Sequence, residues 1–216
     1  MAMGQQASVV LGDDVHGVVV GEDLALIDLG ADAYLCLPNG ACGVEPGGLS
    51  VRRLHGPTAA AIEAAGLGGG NGSAPFRPPP ALPMRTVIHD APSRVSPRQV
   101  LRGLCAVSDV RRALRGTGLR PILAVAPGPG GAVSPERVTR EARAFWRLSP
   151  WLPIEGECLV RSAVLMSYLR RAGLSADWVF GVRLWPFSAH CWVQVGDVCL
   201  NDDIERLAAY TPIYCR

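Results

Sequence analysis

Apolar residues recur along this chain with two different periods. Near the start, short apolar runs at 18–20, 24–29 and 34–37 are separated by Gly21-Glu22-Asp23 and Gly30-Ala31-Asp32. Those breaks are turn chemistry, and the pattern predicts a small antiparallel meander. Pro57 then opens PTAAAIEAAGL, a short helix ended at Gly66. Three strands and one helix give a meagre core, so this unit is expected to be marginal alone. From Gly66 to Pro83 the chain reads GLGGGNGSAPFRPPPALP, with nothing periodic to bury. Such a stretch predicts a linker.

Three helices are expected beyond this seam. Ser96-Pro97-Arg98-Gln99 supplies an N-cap, a Pro at the first helical position and a Gln at the third, opening a helix that runs toward Arg115. Ser134-Pro135-Glu136 repeats the device for a helix ending near Leu148, with Val138, Ala142 and Phe145 on one face. The third helix covers CLVRSAVLMSYLRRAG, from Cys158 to Arg171, and stops at Gly173. Its apolar positions run nearly all round, which predicts a central, buried helix. The period then becomes two: 177–184, 190–195 and 198–200 read as strands, the last two joined by a Gly196-Asp197 turn. Helices followed by antiparallel strands define an α+β class. The expected organisation is a meander module at 1–66, a linker at 67–85 and a larger domain at 86–216.

Composition narrows the function classes. With 216 residues, 49% of them hydrophobic, and a mean hydropathy of +0.21, the chain holds enough apolar material for a packed core. No apolar run approaches membrane-spanning length. The opening MAMGQQASVVLGDD has no basic n-region or long apolar stretch, so a cytoplasmic rather than secreted protein is expected. All 21 basic residues are Arg, and without Lys there is no GxxxxGK[ST] phosphate loop. A net charge of +2 is too small to suggest nucleic-acid binding. The seven cysteines (36, 42, 105, 158, 191, 199, 215) form no CxxC pair and the four His are scattered, so neither a zinc site nor any other cofactor is expected. Reduced thiols packed as small core residues are the default.

One cysteine is placed differently. Cys158 opens the central helix directly after the breaker-rich SPWLPIEGE. A helix N-terminus and a nearby His both lower a thiol pKa, and the unpaired N–H groups there can stabilise an oxyanion. His190 begins a strand and Asp202 closes the next, so a tight turn brings them together as base and orienter. Taken singly, each residue has an ordinary structural explanation: a packed thiol, a hydrogen-bonded imidazole, a turn carboxylate. All three in the right order on compatible elements favour a nucleophilic site. Cys191 is the rival nucleophile, but adjacent strand residues face opposite ways, so it is expected to point away from the site. The same parity favours Asp202 over Asp203.

The stretch CLVRSAVLMSYLRRAGLSADWVFGVRLWPFSAHCWVQV, followed by LNDD and YTPI, resembles the leader peptidases, or B proteins, of lasso-peptide biosynthesis. These are transglutaminase-like cysteine proteases, related to papain, with helices packed on an antiparallel sheet. The resemblance spans Trp146 to Ile213 and implies a catalytic Cys158, His190 and Asp202, with Arg161 and Trp192 also on the pattern. Cys191 stands where a small Ala is common and Gln194 where an acidic residue is usual. The resemblance implies a lasso precursor peptide as substrate and an asparagine-synthetase-like cyclase as partner, with any ATP requirement residing in that partner. The meander resembles the strands of PqqD-like, winged-helix-like leader-recognition elements, although NGACGVEPGGLSVRRLHG replaces the regular helix expected after them. That likeness implies a leader strand added alongside Tyr34, Leu35, Cys36 and Leu37. Two other readings of the same residues are a transglutaminase-fold acyltransferase or amidase, and a non-catalytic peptide-binding scaffold.

Overall fold

A computed structural model describes residues 8–44, 50–70, 77–90, 94–126, 134–154 and 156–216. The first seven residues and positions 71–76 of the expected linker lie outside the described residues, as do 45–49 of the stretch replacing the expected helix.

The N-terminal region opens with β1 (Ser8–Val10), followed by the predicted meander of β2 (Val15–Val20), β3 (Asp23–Asp28) and β4 (Ala33–Leu37). A 3₁₀ turn at Gly40–Gly43, β5 (Ser50–Val51), β6 (Arg53–His55) and α1 (Gly56–Ala64) complete it. The four-stranded sheet has the order β4-β3-β2-β5, and β1 pairs antiparallel with β6. Strand alternation sends its side chains to two cores. Val15, Leu24 and Leu26 pack with Val9, Leu54 and Ile62 beneath α1. Val18, Ala25, Ile27 and Leu29 join the large core of the rest of the chain.

The sheet therefore does not stand alone, which supplies the burial a meagre core lacks. Each fully buried Val, Ile or Leu on that shared face contributes about 1.5–3 kcal/mol. His16, on the same face, packs against Tyr214 with ring centroids 4.5 Å apart and the rings tilted. Burial, helped by the charge of Arg52, pushes its pKa down to about 4, so the ring is neutral there.

The larger region is built from β7 (Arg85–Thr86), α2 (Pro97–Ala113), α3 (Arg120–Leu123), α4 (Pro135–Leu148), α5 (Cys158–Arg171), β8 (Asp177–Arg183), β9 (Ser188–Val195), β10 (Val198–Cys199), α6 (Ile204–Leu207) and β11 (Thr211–Cys215). Its sheet has the order β11-β8-β9-β10-β7. All neighbours are antiparallel except β10 and β7, which run parallel, so the expected antiparallel sheet carries one parallel edge. Both halves of the capping box form at α2: Ser96 Oγ accepts from Gln99 N (3.4 Å) and Gln99 Oε1 accepts from Ser96 N (2.9 Å). Such a cap is worth about 1 kcal/mol. At the end of α5, Gly173 takes φ +70°, Leu174 N–H returns to Leu169 O and Gly173 N–H to Arg170 O. This Schellman turn requires the left-handed residue that glycine supplies.

Helix α5 lies at the centre, buried from Ser162 to Leu169. Glu141 of α4 accepts from Tyr168 Oη (2.9 Å) and Arg102 (2.8 Å), while Asp109 of α2 accepts from Ser167 and Arg171, tying three helices together. The opposite face of the sheet is closed by Val179, Trp192, Cys199, Leu207 and Tyr210.

The described parts of the expected linker are docked rather than free. Leu67 is buried in the N-terminal core and Gly69 N–H donates to Val10 O. Leu82 packs beside the cluster on the far sheet face, Ala81 O accepts from Gln194, and Arg85 forms a two-pronged pair with Asp197. Pro-rich chain is already extended, so it lies along a sheet at small entropic cost. Among the described residues, no helix is long and apolar enough to cross a membrane.

Candidate active site

The entry to α5 is shaped by Gly156, whose φ of +129° is open to glycine but strained for other residues. A Cβ there would also lie 2.8 Å from Val160 Cγ2. Glu157 caps the helix with extended backbone and no side-chain bond, and its carbonyl accepts the first helical hydrogen bond, from Arg161 N–H. The N–H groups of Cys158, Leu159 and Val160 therefore have no intrahelical partner. Cys158 is half-buried at the edge of an open cleft of about 560 Å³, with Trp146, Arg161, His190, Asp202 and Tyr210 among its lining residues.

His190 sits in β9 and is only 4% exposed. Its ring neighbours those of Tyr210 (5.2 Å between centroids) and Trp192 (6.4 Å). Its Nε2 is 2.5 Å from Asp202 Oδ2, which leaves Nδ1 as the ring nitrogen available to the thiol. Asp202 also accepts from its neighbour's Asp203 N–H (2.8 Å), and its carbonyl accepts from Thr86 Oγ1 (2.7 Å). Asp203 instead pairs with His89, 2.5 Å away on the surface. The preceding Asn201 holds the loop: it accepts from Val193 N–H (2.7 Å) and donates to Ser162 Oγ (2.8 Å).

The three groups polarise one another. The Cys158 pKa falls well below the ordinary thiol range, chiefly through a hydrogen bond from the Cys191 side chain. Burial opposes this, and the His190 hydrogen bond, the Cys191 backbone N–H and the His190 charge add to it. For His190, burial is the largest influence and lowers the pKa. Hydrogen bonds and charges from Asp202 and Cys158 together outweigh it, raising the pKa to about 9. Burial likewise acts upward on Asp202, but the bond from His190 and the Asp203 N–H keep its carboxyl below the usual value. The arrangement favours a thiolate facing an imidazolium, the reactive form of a cysteine nucleophile.

Cys191 departs from expectation. Strand parity holds, since His190 and Trp192 face the Tyr210 side while Cys191 and Val193 face α5. The inference that Cys191 points away from the site fails, because α5 itself carries Cys158. The two thiols meet at the rim where strand and helix converge. Cys191 is 2% exposed, and burial drives its pKa far upward, so it remains a neutral thiol and not a rival nucleophile.

The structure gives Trp192, Gln194 and Arg161 distinct surroundings. The fully buried Trp192 indole lies behind His190, and its N–H donates to Gln194 Oε1 (2.7 Å). Gln194 Nε2 donates to Ala81 O (3.0 Å) and Gly196 O (2.9 Å), so this amide anchors the docked strap in a way a carboxylate would not. Arg161 is exposed on the cleft wall.

Tyr34, Leu35, Cys36 and Leu37 form β4, the outer strand of the N-terminal sheet. Leu35 is 38% exposed and Cys36 is also exposed. Tyr34 packs on Phe187, 5.7 Å between ring centroids. Its hydroxyl pKa is raised chiefly by burial, with Cys191 and Cys158 near enough to add to it, so β4 runs close to the candidate site. No sequence pattern signals this approach. It is made by the β8–β9 loop, where Trp185 donates to Asp23 Oδ2 (2.7 Å). Among the described residues, no group of three or more His, Cys, Asp or Glu is disposed to hold a metal ion.

A family model described as the transglutaminase-like superfamily matches residues 104–215, half of the chain and the whole of the cleft's helix and strand residues from Trp146 to Tyr210. The chain belongs to the transglutaminase-like superfamily. Within this transglutaminase-like protein, 48 residues are 40% identical to the microcin J25-processing protein McjB of Escherichia coli. That similarity covers 22% of this chain and 23% of the relative's length. No solved structure matches the chain.

Proposed function

We propose that this transglutaminase-like protein is a cysteine endopeptidase that removes the leader from a ribosomally made lasso-peptide precursor. The observation that carries this reading is the convergence of Cys158, His190 and Asp202 at one open cleft, with His190 Nε2 2.5 Å from Asp202. Similarity to a microcin-processing protein supports a peptide precursor as the substrate class. The Cys158 thiolate attacks the carbonyl at the leader–core junction, and its own N–H, at the open helix terminus, donates to the developing oxyanion. His190 Nδ1 protonates the departing amine, Asp202 holds the ring, and water then releases the leader from the acyl-enzyme. The freed core amine passes to an asparagine-synthetase-like cyclase for macrolactam formation. In this reading the reaction is cytoplasmic and needs no cofactor in this chain.

Residues 1–66 are assigned to leader recognition in the PqqD-like manner, with the leader adding as a strand to the free edge of β4 beside Leu35 and Cys36. The exposed edge and its proximity to the cleft support this. The test combines a precursor peptide with the full chain, Cys158→Ala and Leu35→Glu. Cys158→Ala should bind labelled leader normally and leave the precursor uncut. Leu35→Glu should weaken leader binding about tenfold, the effect of roughly 1.4 kcal/mol, while retaining the fast alkylation of Cys158. Undiminished cleavage by Cys158→Ala would overturn the peptidase assignment, and undiminished leader binding by Leu35→Glu would overturn the β4 assignment.

A further inference from the structure

The peptidase chemistry uses one thiol at the cleft and leaves a second beside it idle. Cys191 Sγ lies 3.7 Å from Ser162 Oγ. Ser162 stands one helical turn after Cys158, and side chains four apart on a helix share a face and lean toward its N-terminus. Cys191 is thus packed against the helical turn that carries Cys158, and each thiol shifts the pKa of the other. Both line the same cleft.

We propose that Cys158 and Cys191 form an oxidative modification site, in which hydrogen peroxide oxidises Cys158 and Cys191 resolves the product into a reversible intramolecular disulfide. In the first step the Cys158 thiolate attacks one peroxide oxygen, the O–O bond breaks, and Cys158 becomes a sulfenic acid as hydroxide leaves. In the second, Cys191 sulfur attacks the Cys158 sulfur, and the sulfenic hydroxyl leaves with the Cys191 proton as water. Peroxide is reduced to the level of water and the two thiols are oxidised to one disulfide. The division of labour follows from placement. Cys158 is half-open to the cleft and rests on the thiolate side, so peroxide meets it first. Cys191 is 2% exposed and a thiol, reached only by its neighbour. With both sulfurs tied together there is no nucleophile, and a dithiol reductant restores it by exchange. Of the other cysteines, Cys199 and Cys215 lie on the opposite face of the sheet and have no such neighbour in the cleft.

The full chain is treated with hydrogen peroxide, free thiols are alkylated, and non-reducing digests are mapped by mass spectrometry. The expected product joins the peptides carrying Cys158 and Cys191, at a mass about 2 Da below their reduced sum. Dithiothreitol should return Cys158 to full alkylation. Recovery of Cys158 as sulfinic or sulfonic acid, with Cys191 still alkylatable, would overturn the proposal. In Cys191→Ala, peroxide should drive Cys158 past the reducible stage, so recovery with dithiothreitol is lost; recovery as complete as in the wild type would equally overturn it. None of these measurements reads peptide cleavage, so the site stands or falls apart from the leader-peptidase assignment.

Discussion

Replacing Asp202 by Asn tests how the cleft holds its charges. In the native site His190 is raised from 6.5 to about 9 against the pull of burial. That difference corresponds to roughly 3 kcal/mol in favour of the imidazolium. The Asp202 hydrogen bond is the largest influence acting upward, followed by that of Cys158. With the carboxylate gone, burial is less opposed and the His190 pKa falls toward neutrality. The thiolate then loses part of its counter-charge, and the ring is no longer fixed with Nδ1 toward the thiol. Peptide cleavage should fall by about ten-thousandfold, the size of loss seen when a triad's orienting carboxylate is neutralised. The sign of the pH change is definite. A protonated His190 acts as the acid, so wild-type activity declines as pH rises through about 9, and in Asp202→Asn that alkaline limb moves to lower pH. The assay is kcat for a precursor peptide across pH, with the iodoacetamide rate at Cys158 measured in parallel. Asp203→Asn is the control, because the Asp203 carboxylate pairs with His89 and only its backbone N–H reaches Asp202. An unchanged pH profile in Asp202→Asn, or an equal loss in Asp203→Asn, would refute the reasoning.

Other consequences are as specific. Cys191→Ala removes the largest influence depressing the Cys158 pKa, so the midpoint of its pH-dependent alkylation should rise; an unmoved midpoint would contradict the thiol–thiol contact. Ile27→Ala, at a fully buried position shared with the larger core, should cost about 2–5 kcal/mol and shift a single cooperative urea transition of the whole chain. A separate early transition of the N-terminal sheet, with the main one unmoved, would show the two regions to be uncoupled. Gly181→Ala places a Cβ 2.8 Å from the Trp192 ring, directly behind His190. It should destabilise the fold by about 1–3 kcal/mol and slow Cys158 alkylation, whereas wild-type values for both would show that the indole yields freely.

Where local chemistry was strong, the chain was legible. The Ser96-Pro97-Gln99 signal marks the start of α2 and forms both bonds of its capping box. The all-round apolar pattern of α5 corresponds to a helix buried on every side from Ser162 to Leu169. Strands β1, β5, β7 and β11 escaped because each is short, and β11 carries Pro212, which an edge strand tolerates but which weakens any strand signal. The proximity of His190 to Asp202 followed from a tight turn between two strands. The position of Cys191 did not, because strand parity gives the face on which a side chain lies and not what is packed against that face. Nor did composition reveal that residues 77–86 are docked, since Leu82, Gln194 and Arg85 act there through partners distant in sequence. Gln194 gains a purpose only when Ala81 is seen beside it.

The proposed peptidase reaction stands on a covalent acyl-enzyme between Cys158 and the leader. Precursor peptide mixed with the full chain, acid-quenched within the first turnovers and read by intact mass, tests it directly. The expected adduct adds the mass of the leader less one water, maps to Cys158 and appears as the core peptide is released. Core release in those early turnovers with no adduct on Cys158, at a rate that Cys158→Ala reproduces, would contradict it.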